Sequence, residues 1–422
     1  MAIISLIFFV AIIAIAFKSK LNAGLLGFTF ALILGRVTGV ADKAVIGYFG
    51  SSMFVQLVGI MLLFGAIMQT GAIEWLSKKA VSLVGKRVWL MPIVLFVIGF
   101  VLAVVGPGGL SVTTPLLLLA IACSTACGYS PIMLCIIGNL GVAAGRISPI
   151  TPEGTLLGEL AAAQGLTEGV FGPVMFFMIA SCVLYSFVIF FVYGGHKVRY
   201  SDIAHVANEE KVEKLTRNQM VGLLAIAVML ILVVAFSFNA GLVAYAFATL
   251  LFLFKIADQN STIKALPWNT IVMVGGMGLY VTAMKNAGGL DLITNTLSSL
   301  MTPITAPSLT AAIAGIMSLV SSAFGVVFPT MYPMATELAA GAGYAYPVAL
   351  LAAVTLGASL AGYSPLSTTG AWILGMTDTT LHLSDNEQQK TFIKLLIVGL
   401  FGIVYTAIAA LLFGTLSCTL FG

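Results

Sequence analysis

The chain has 422 residues, 60% of them hydrophobic and 8% charged, with a net charge of +4 and a mean hydropathy of +1.11. A soluble domain covers its surface with about 25% charged residues. The composition therefore excludes a soluble enzyme or a nucleic-acid-binding protein and predicts an all-α polytopic membrane protein.

In chain order, Ala2 to Phe17 is apolar and is followed by Lys18 and Lys20 rather than by a small-residue cleavage site, so it reads as an uncleaved first membrane helix. Apolar segments follow at 23–36 and 52–71, then a close pair at 89–105 and 110–126, a run at 131–145 that ends in a break, and a segment at 170–193. Residues 194–218 are the strongly charged stretch and read as a cytoplasmic linker. A second set then appears at 219–236, 240–256 and 268–286, with a close pair at 308–323 and 328–341, a broken run at 346–361 and a last segment at 391–415. Several of these are shorter than the ~20 residues a spanning helix needs. The close pairs turn around Gly106-Pro107-Gly108-Gly109 and around Phe324-Gly325-Val326-Val327. A helix does not run through Gly-Pro-Gly-Gly, so each pair reads as a re-entrant helical hairpin.

The two sets are copies. Ser148-Pro149-Ile150-Thr151-Pro152-Glu153-Gly154 returns 216 positions later as Ser364-Pro365-Leu366-Ser367-Thr368-Thr369-Gly370. The same offset pairs Pro131 with Pro347 and Gly141 with Gly357. Residues 1–193 thus form a first repeat and 219–422 a second. Each half makes an odd number of crossings, which turns the second upside down relative to the first. Lys and Arg placement agrees: with both termini outside, fifteen fall on the cytoplasmic side, Lys18, Lys79, Lys197 and Lys255 among them, and three outside, Arg36, Lys43 and Lys285.

The breaks carry the chemistry. Paired interruptions at matching places in two halves point to a transporter's binding site. Backbone freed from a helix inside a membrane must be buried in protein or line a watery cavity. Its carbonyls suit a cation, and the restarting helix points amide groups at an anion. Around the breaks, Asn139, Arg146, Ser148, Thr151, Tyr363, Ser364, Ser367 and Thr368 are candidate substrate ligands. Gly108, Gly109, Ser111 and Thr113 at the first hairpin tip, and Ser321, Ser322 and Thr330 at the second, are candidates as well. Gly106, Gly145, Ser148, Gly325, Gly362 and Ser364 are candidate cation ligands through carbonyls or hydroxyls. Arg146 is the most informative of these. A cation near the membrane midplane is costly unless paired or hydrated, and its planar fork suits a carboxylate; the alternative is that Arg146 pairs with Glu153 or snorkels to the rim. Asn139 has a plainer reading too, as a bridge between helices. The five cysteines, Cys123, Cys127, Cys135, Cys182 and Cys418, read as small packing residues.

The stretch from Gly106-Pro107-Gly108-Gly109 to Ser148-Pro149-Ile150-Thr151-Pro152-Glu153-Gly154 resembles MatC-type dicarboxylate carriers, the malonate-carrier family. That family belongs to the ion-transporter superfamily with the divalent-anion:sodium symporters. Pro267-Trp268-Asn269 through Gly275-Gly276 and Gly288-Gly289-Leu290 is similar to the helix opening the second repeat's core there. The resemblance implies two inverted repeats, an elevator-type transporter, a homodimer, and hairpin tips and broken helices that hold a dicarboxylate with coupling cations. The Ser-Asn-Thr signature of the divalent-anion symporters is missing: the tips read Gly-Pro-Gly-Gly-Leu-Ser and Ser-Ser-Ala-Phe-Gly-Val.

The expectation is a secondary active transporter, not an enzyme, for a small di- or tricarboxylate. A C3–C4 dicarboxylate is the first candidate. Sodium is the coupling ion, because carbonyl and hydroxyl groups abound at the breaks while buried carboxylates do not. No cofactor is expected, and the partners are the substrate anion and the lipids of a bacterial inner membrane. The alternatives are a proton-coupled carrier, a carrier of another anion in the same superfamily and, from a different class, an anion channel.

Overall fold

The computed structural model describes every residue except 20, 73, 74, 76–78, 80–87, 107, 199–213, 237 and 422. Lys20, Lys78, Lys86, Arg87, Pro107, Arg199 and Lys211, with most of the expected linker, therefore lie outside the described residues. All regular elements among those described are helical. The first set comprises α1 (Ala2–Ser19), α2 (Ala23–Thr38), a short α3 (Asp42–Gly47), α4 (Ser51–Gln69), α5 (Met91–Val104), α6 (Gly108–Cys127), α7 (Pro131–Gly145), α8 (Pro152–Ala162) and α9 (Phe171–Val192). The second comprises α10 (Arg217–Phe236), α11 (Ala240–Leu253), a short α12 (Gln259–Ala265), α13 (Trp268–Asn286), α14 (Gly289–Ser299) and α15 (Ala306–Leu319). It continues with α16 (Phe328–Met331), α17 (Ala335–Gly341), α18 (Pro347–Ala361), α19 (Thr368–Leu381) and α20 (Asp385–Phe421).

Local chemistry sets many of these boundaries. Asn22 caps α2 by accepting the Gly24 amide, and 217 residues on Asn239 caps α11 by accepting the Leu242 amide. Proline opens α7, α8 and α18 at the first turn, where the missing amide would have had no partner. Gly39 leaves α2 with φ +73°, a conformation that glycine adopts without a Cβ penalty.

The helices pack as two groups. In one, α2 crosses α13 and α4 crosses α11. Both crossings are glycine contacts: a Cβ on Gly24 would overlap the Val272 carbonyl, and one on Gly241 would overlap Gln56 backbone. Both pairs join residues of one half to the other. In the second group, α5 lies on α7 and α15 on α18, again backbone to backbone, through Gly141 and Gly145 against Phe96 and Phe100, and through Gly357 against Ala311. Small residues at such crossings let membrane helices approach closely. The long helices α9 and α20 complete this group, tied by Tyr185 donating to the Val398 carbonyl (3.0 Å) and Tyr405 to that of Ser181 (2.7 Å). The groups meet chiefly where α4 touches α8 and where α14 touches α17.

Phe171–Val192 and Asp385–Leu412 are each long and apolar enough to cross a membrane. Ile397, Leu400, Val404, Ile408 and Leu412 project outward from α20, an apolar stripe suited to lipid. The chain is an integral membrane protein. The second hairpin departs from expectation in detail. Its arms, Ala306–Leu319 and Ala323–Gly341, bend by 120° at residues 320–322, not at Phe324–Val327. Ser322 explains the shift: its hydroxyl accepts the Gly325 amide at 3.1 Å and starts a π-helical turn over Ala323–Val327. Ser-x-x-Gly here behaves as a helix start rather than as a glycine turn.

Candidate functional site: a buried arginine between two broken helices and two hairpins

The first break is a two-step turn. Helix α7 ends at Gly145, and the chain turns through Ser148, whose amide reaches the Gly145 carbonyl (3.2 Å), and Thr151, whose amide reaches the Ser148 carbonyl (3.0 Å). The Thr151 hydroxyl caps α8 by accepting the Gly154 amide at 3.0 Å. It lies within reach of both the Arg146 and Ser148 carbonyls and gives its one proton to either. Thr151 is therefore occupied in closing the turn. The second break is built alike. The Ser367 amide reaches the Ser364 carbonyl (2.9 Å), and the Ser367 hydroxyl donates to the Ser321 carbonyl (2.8 Å), tying this break to the second hairpin tip.

Glu153 sits in the first turn of α8 and is 2% exposed. Its Oε1 accepts the Gly109 amide at 2.9 Å, and Gly109 lies in the first turn of α6. One carboxylate thus lies at the positive ends of two helices, where the amide dipoles favour negative charge. Its Oε2 is buried without a partner.

Arg146 joins the elements. It caps the end of α7. Its Nη2 donates to Ser359 Oγ on α18 at 2.7 Å, and its guanidinium lies 5.3 Å above the centre of the Phe328 ring in the second hairpin. Gly109 of the first hairpin packs so near that a Cβ there would stand 3.3 Å from Arg146 Cδ and 2.8 Å from Glu153 Oε1. The Arg146 Nε is buried without a partner. Arg146 and Glu153 make no ion pair; among the described residues the ion pair is Arg36–Asp42, at the surface. Residues from both hairpins, the first break and α18 therefore converge on one guanidinium with a free donor, beside a carboxylate with a free acceptor.

The remaining candidates divide. Asn139 and Thr113 are buried and bonded to each other, Nδ2 to Oγ1 at 2.9 Å, while Thr113 donates to the Gly109 carbonyl at 2.6 Å. Asn139 thus bridges α7 to α6, close below the tip. The position 216 residues after it, Thr355, bonds Tyr332 of the second hairpin at 2.8 Å. Ser321 donates to the Met317 carbonyl (2.5 Å) and Thr330 to that of Val326 (2.7 Å), bonds internal to the hairpin. Tyr363 is fully buried and points to the Ile136 carbonyl, 3.5 Å away. Ser364 is buried and its hydroxyl accepts the Leu366 amide at 3.2 Å. Ser148 is buried at the first turn, and Thr368 opens α19 half-buried. Gly108 opens α6; the side chain of Ser111 lies outside the described residues.

Of the glycines, Gly145 packs α7 on α5, Gly325 lies on Met273 of α13, and Gly106, at φ +143°, lies on Phe64 of α4. Each hairpin tip is thus seated on a helix of the other packing group. Gly362 lies against its own helix's Ser359 carbonyl. Sequence reading passed over Phe328 and Ser359. Ser359 lies between Gly357 and Gly362, and its position one turn before the break was the available signal. Phe328 gave none.

Two glycines not singled out beforehand fix the turns. A Cβ on Gly154 would overlap the Ser148 carbonyl oxygen, and one on Gly370, 216 positions later, would overlap that of Ser364. Neither neighbour is a flexible side chain. Gly154→Ala and Gly370→Ala are each expected to destabilise by about 1–3 kcal/mol, the usual range for overpacking. The loss should register as a lowered unfolding midpoint in detergent. Unchanged midpoints for both would show that the turns can relax.

A model of the citrate transporter family, CitMHS, matches residues 6–358. No curated protein matches by sequence. Among solved structures, the YdaH transporter of Alcanivorax borkumensis, described as having an unusual topology, is similar in fold with a TM-score of 0.57 at 15% identity, covering 92% of this chain and 98% of that one. Since the family match takes in both hairpins, the first break and all but the last residues of α18, the chain belongs to the citrate transporter family.

Proposed function

We propose that the protein is a cation-coupled secondary transporter of a small di- or tricarboxylate, with citrate and C3–C4 dicarboxylates such as malonate as the candidates. The observation that carries this is Arg146: a guanidinium held by Ser359 and Phe328, with a buried donor still free, at the break between α7 and α8. Such a group matches one carboxylate of the substrate. The Ser148 and Ser364 hydroxyls and the backbone at both breaks complete the binding surface. Sodium remains the first choice of coupling ion. The free Oε2 of Glu153 would serve as its anionic ligand, and it equally favours a second reading, a proton.

The two halves, 1–193 and 219–422, are read as inverted repeats with the termini outside and the 194–218 linker in the cytoplasm. An elevator movement is supported by the two packing groups, which meet through α4–α8, α14–α17 and the seats of the hairpin tips. In this scheme the group of α5–α9 and α15–α20 carries the substrate past the other, in a homodimer of the bacterial inner membrane.

The test is counterflow in proteoliposomes. Labelled citrate or malonate should exchange saturably against unlabelled anion, and a sodium or proton gradient should drive accumulation. Flux without saturation or counterflow would instead mean a channel, and exchange of no carboxylate would sink the reading.

A further inference from the structure

The outgoing arm of the second hairpin is not a continuous helix. It runs through the π-helical turn Ala323–Val327, α16, a 3-10 turn at Tyr332–Met334 and α17. Pro333 lies in the 3-10 turn and has no amide to give. The Ala335 amide reaches the Tyr332 carbonyl in the tighter i to i+3 pattern. In an α-helix that carbonyl would take the Thr336 amide instead.

Gln164 stands in that gap. It lies just beyond α8, the helix that restarts after the first break. Its Nε2 donates to the Tyr332 carbonyl at 2.7 Å, and its Oε1 accepts the Thr336 amide at 3.1 Å and the Thr336 hydroxyl at 3.1 Å. Its other Nε2 proton goes to the Leu160 carbonyl at 2.7 Å, which anchors the side chain to its own helix. One carboxamide thus bridges the Tyr332 carbonyl and the Thr336 amide, which an α-helix would join directly. Side chains inserted into a helix ladder in this way cause sharp bends, and a 3-10 stretch inside a helix often marks a hinge.

What lies on either side gives the hinge a purpose. On the tip side is Phe328, stacked on Tyr332 with centroids 4.8 Å apart and lying under the Arg146 guanidinium. On the other side α17 is packed against α14, in the other helix group. The geometry points to Gln164 as a positioning residue: its carboxamide holds the second hairpin bent so that Phe328 bears on Arg146. Withdrawal of the carboxamide lets the Thr336 amide close on Tyr332 and carries Phe328 away. The arm then has two discrete arrangements, as a gate requires. This rests on the transport reading above, with Arg146 as the carboxylate ligand.

The test uses the full-length protein and Gln164→Met, which keeps the volume and removes all the side-chain hydrogen bonds. Citrate or malonate affinity should fall about tenfold, the upper effect of one lost hydrogen bond, while amide exchange in 328–341 rises and that of α7 does not. In a Phe328→Leu background the affinity loss should shrink, since coupled positions are non-additive. Pro333→Ala, which restores an amide and favours a straight arm, should reproduce the affinity loss with Gln164 in place; it serves if Gln164→Met fails to fold. Wild-type affinity in both variants, or an affinity loss that is undiminished without Phe328, would overturn the assignment. If the wild type binds no carboxylate, the transport reading fails, and the exchange of 328–341 still decides whether Gln164 holds the bend.

Discussion

Replacing Arg146 with alanine is expected to weaken carboxylate binding by about 1.5–3 kcal/mol, roughly ten- to hundredfold in Kd. The reasoning is geometric. The guanidinium is oriented from two sides, by the Ser359 hydroxyl at 2.7 Å and by the Phe328 ring at 5.3 Å, and keeps Nε free. A preoriented fork gives up little side-chain freedom when it takes a carboxylate. Lysine should recover only part of the affinity, because it restores the charge without the fork. Ser359→Ala should fall between wild type and Arg146→Ala, since it removes one of the two supports and leaves the charge. Titration calorimetry with citrate and malonate on purified protein would give all four values. Unchanged affinity in a well-folded Arg146→Ala protein would make the residue structural and move the substrate elsewhere.

The architecture was legible where chain periodicity and composition speak locally. The apolar runs fell within a few residues of the helices, and the 216-residue offset marked both breaks before any contact was known. It also extends to contacts that sequence could not show. Asn139 and Thr355 each bond their own hairpin, and Gly154 and Gly370 each cover the carbonyl of the break's serine. The short helices α3, α12 and α14 were not legible, because one to three turns carry no long apolar run. The site was legible in outline only. Hydroxyls at a break announce polar chemistry, but whether each faces a ligand or closes its own turn depends on one rotamer. Thr151, Ser321 and Thr330 bond nearby backbone, whereas Arg146 reaches across 213 residues of sequence to Ser359. Partners at that separation leave no mark on either local pattern. Phe328 is likewise one apolar residue among many until the bend at 320–322 turns it toward the arginine. The argument for sodium from a scarcity of buried carboxylates also changes, because Glu153 is one, and it lies beside Arg146.

Glu153 should separate binding from coupling. It does two things at once: it accepts the Gly109 amide and it places a carboxyl group near Arg146. Glu153→Ala removes both. It leaves the buried Gly109 amide unpartnered, at a cost of about 1–3 kcal/mol, and leaves the arginine charge without its neighbour. Loss of both stability and transport is expected. Glu153→Gln keeps an oxygen for Gly109 and removes only the charge, so its fold should survive. The consequence for transport follows from counting charge. With Glu153 ionised, a substrate anion at Arg146 puts two negative groups around one cation in a poorly hydrated place, which is unfavourable unless a sodium ion or proton enters with it. Under the proposed transport reading, that requirement would couple the two fluxes. The glutamine variant has no such requirement. It should bind carboxylate at least as well as wild type and still exchange it in counterflow, yet fail to accumulate it on a sodium or proton gradient. Running both assays on the same proteoliposomes isolates the effect, because exchange certifies the fold and the site while accumulation reads the coupling. Gradient-driven accumulation at the wild-type level in Glu153→Gln would place the coupling ion elsewhere, with the hydroxyls and carbonyls of the second break around Ser364 as the next site to test.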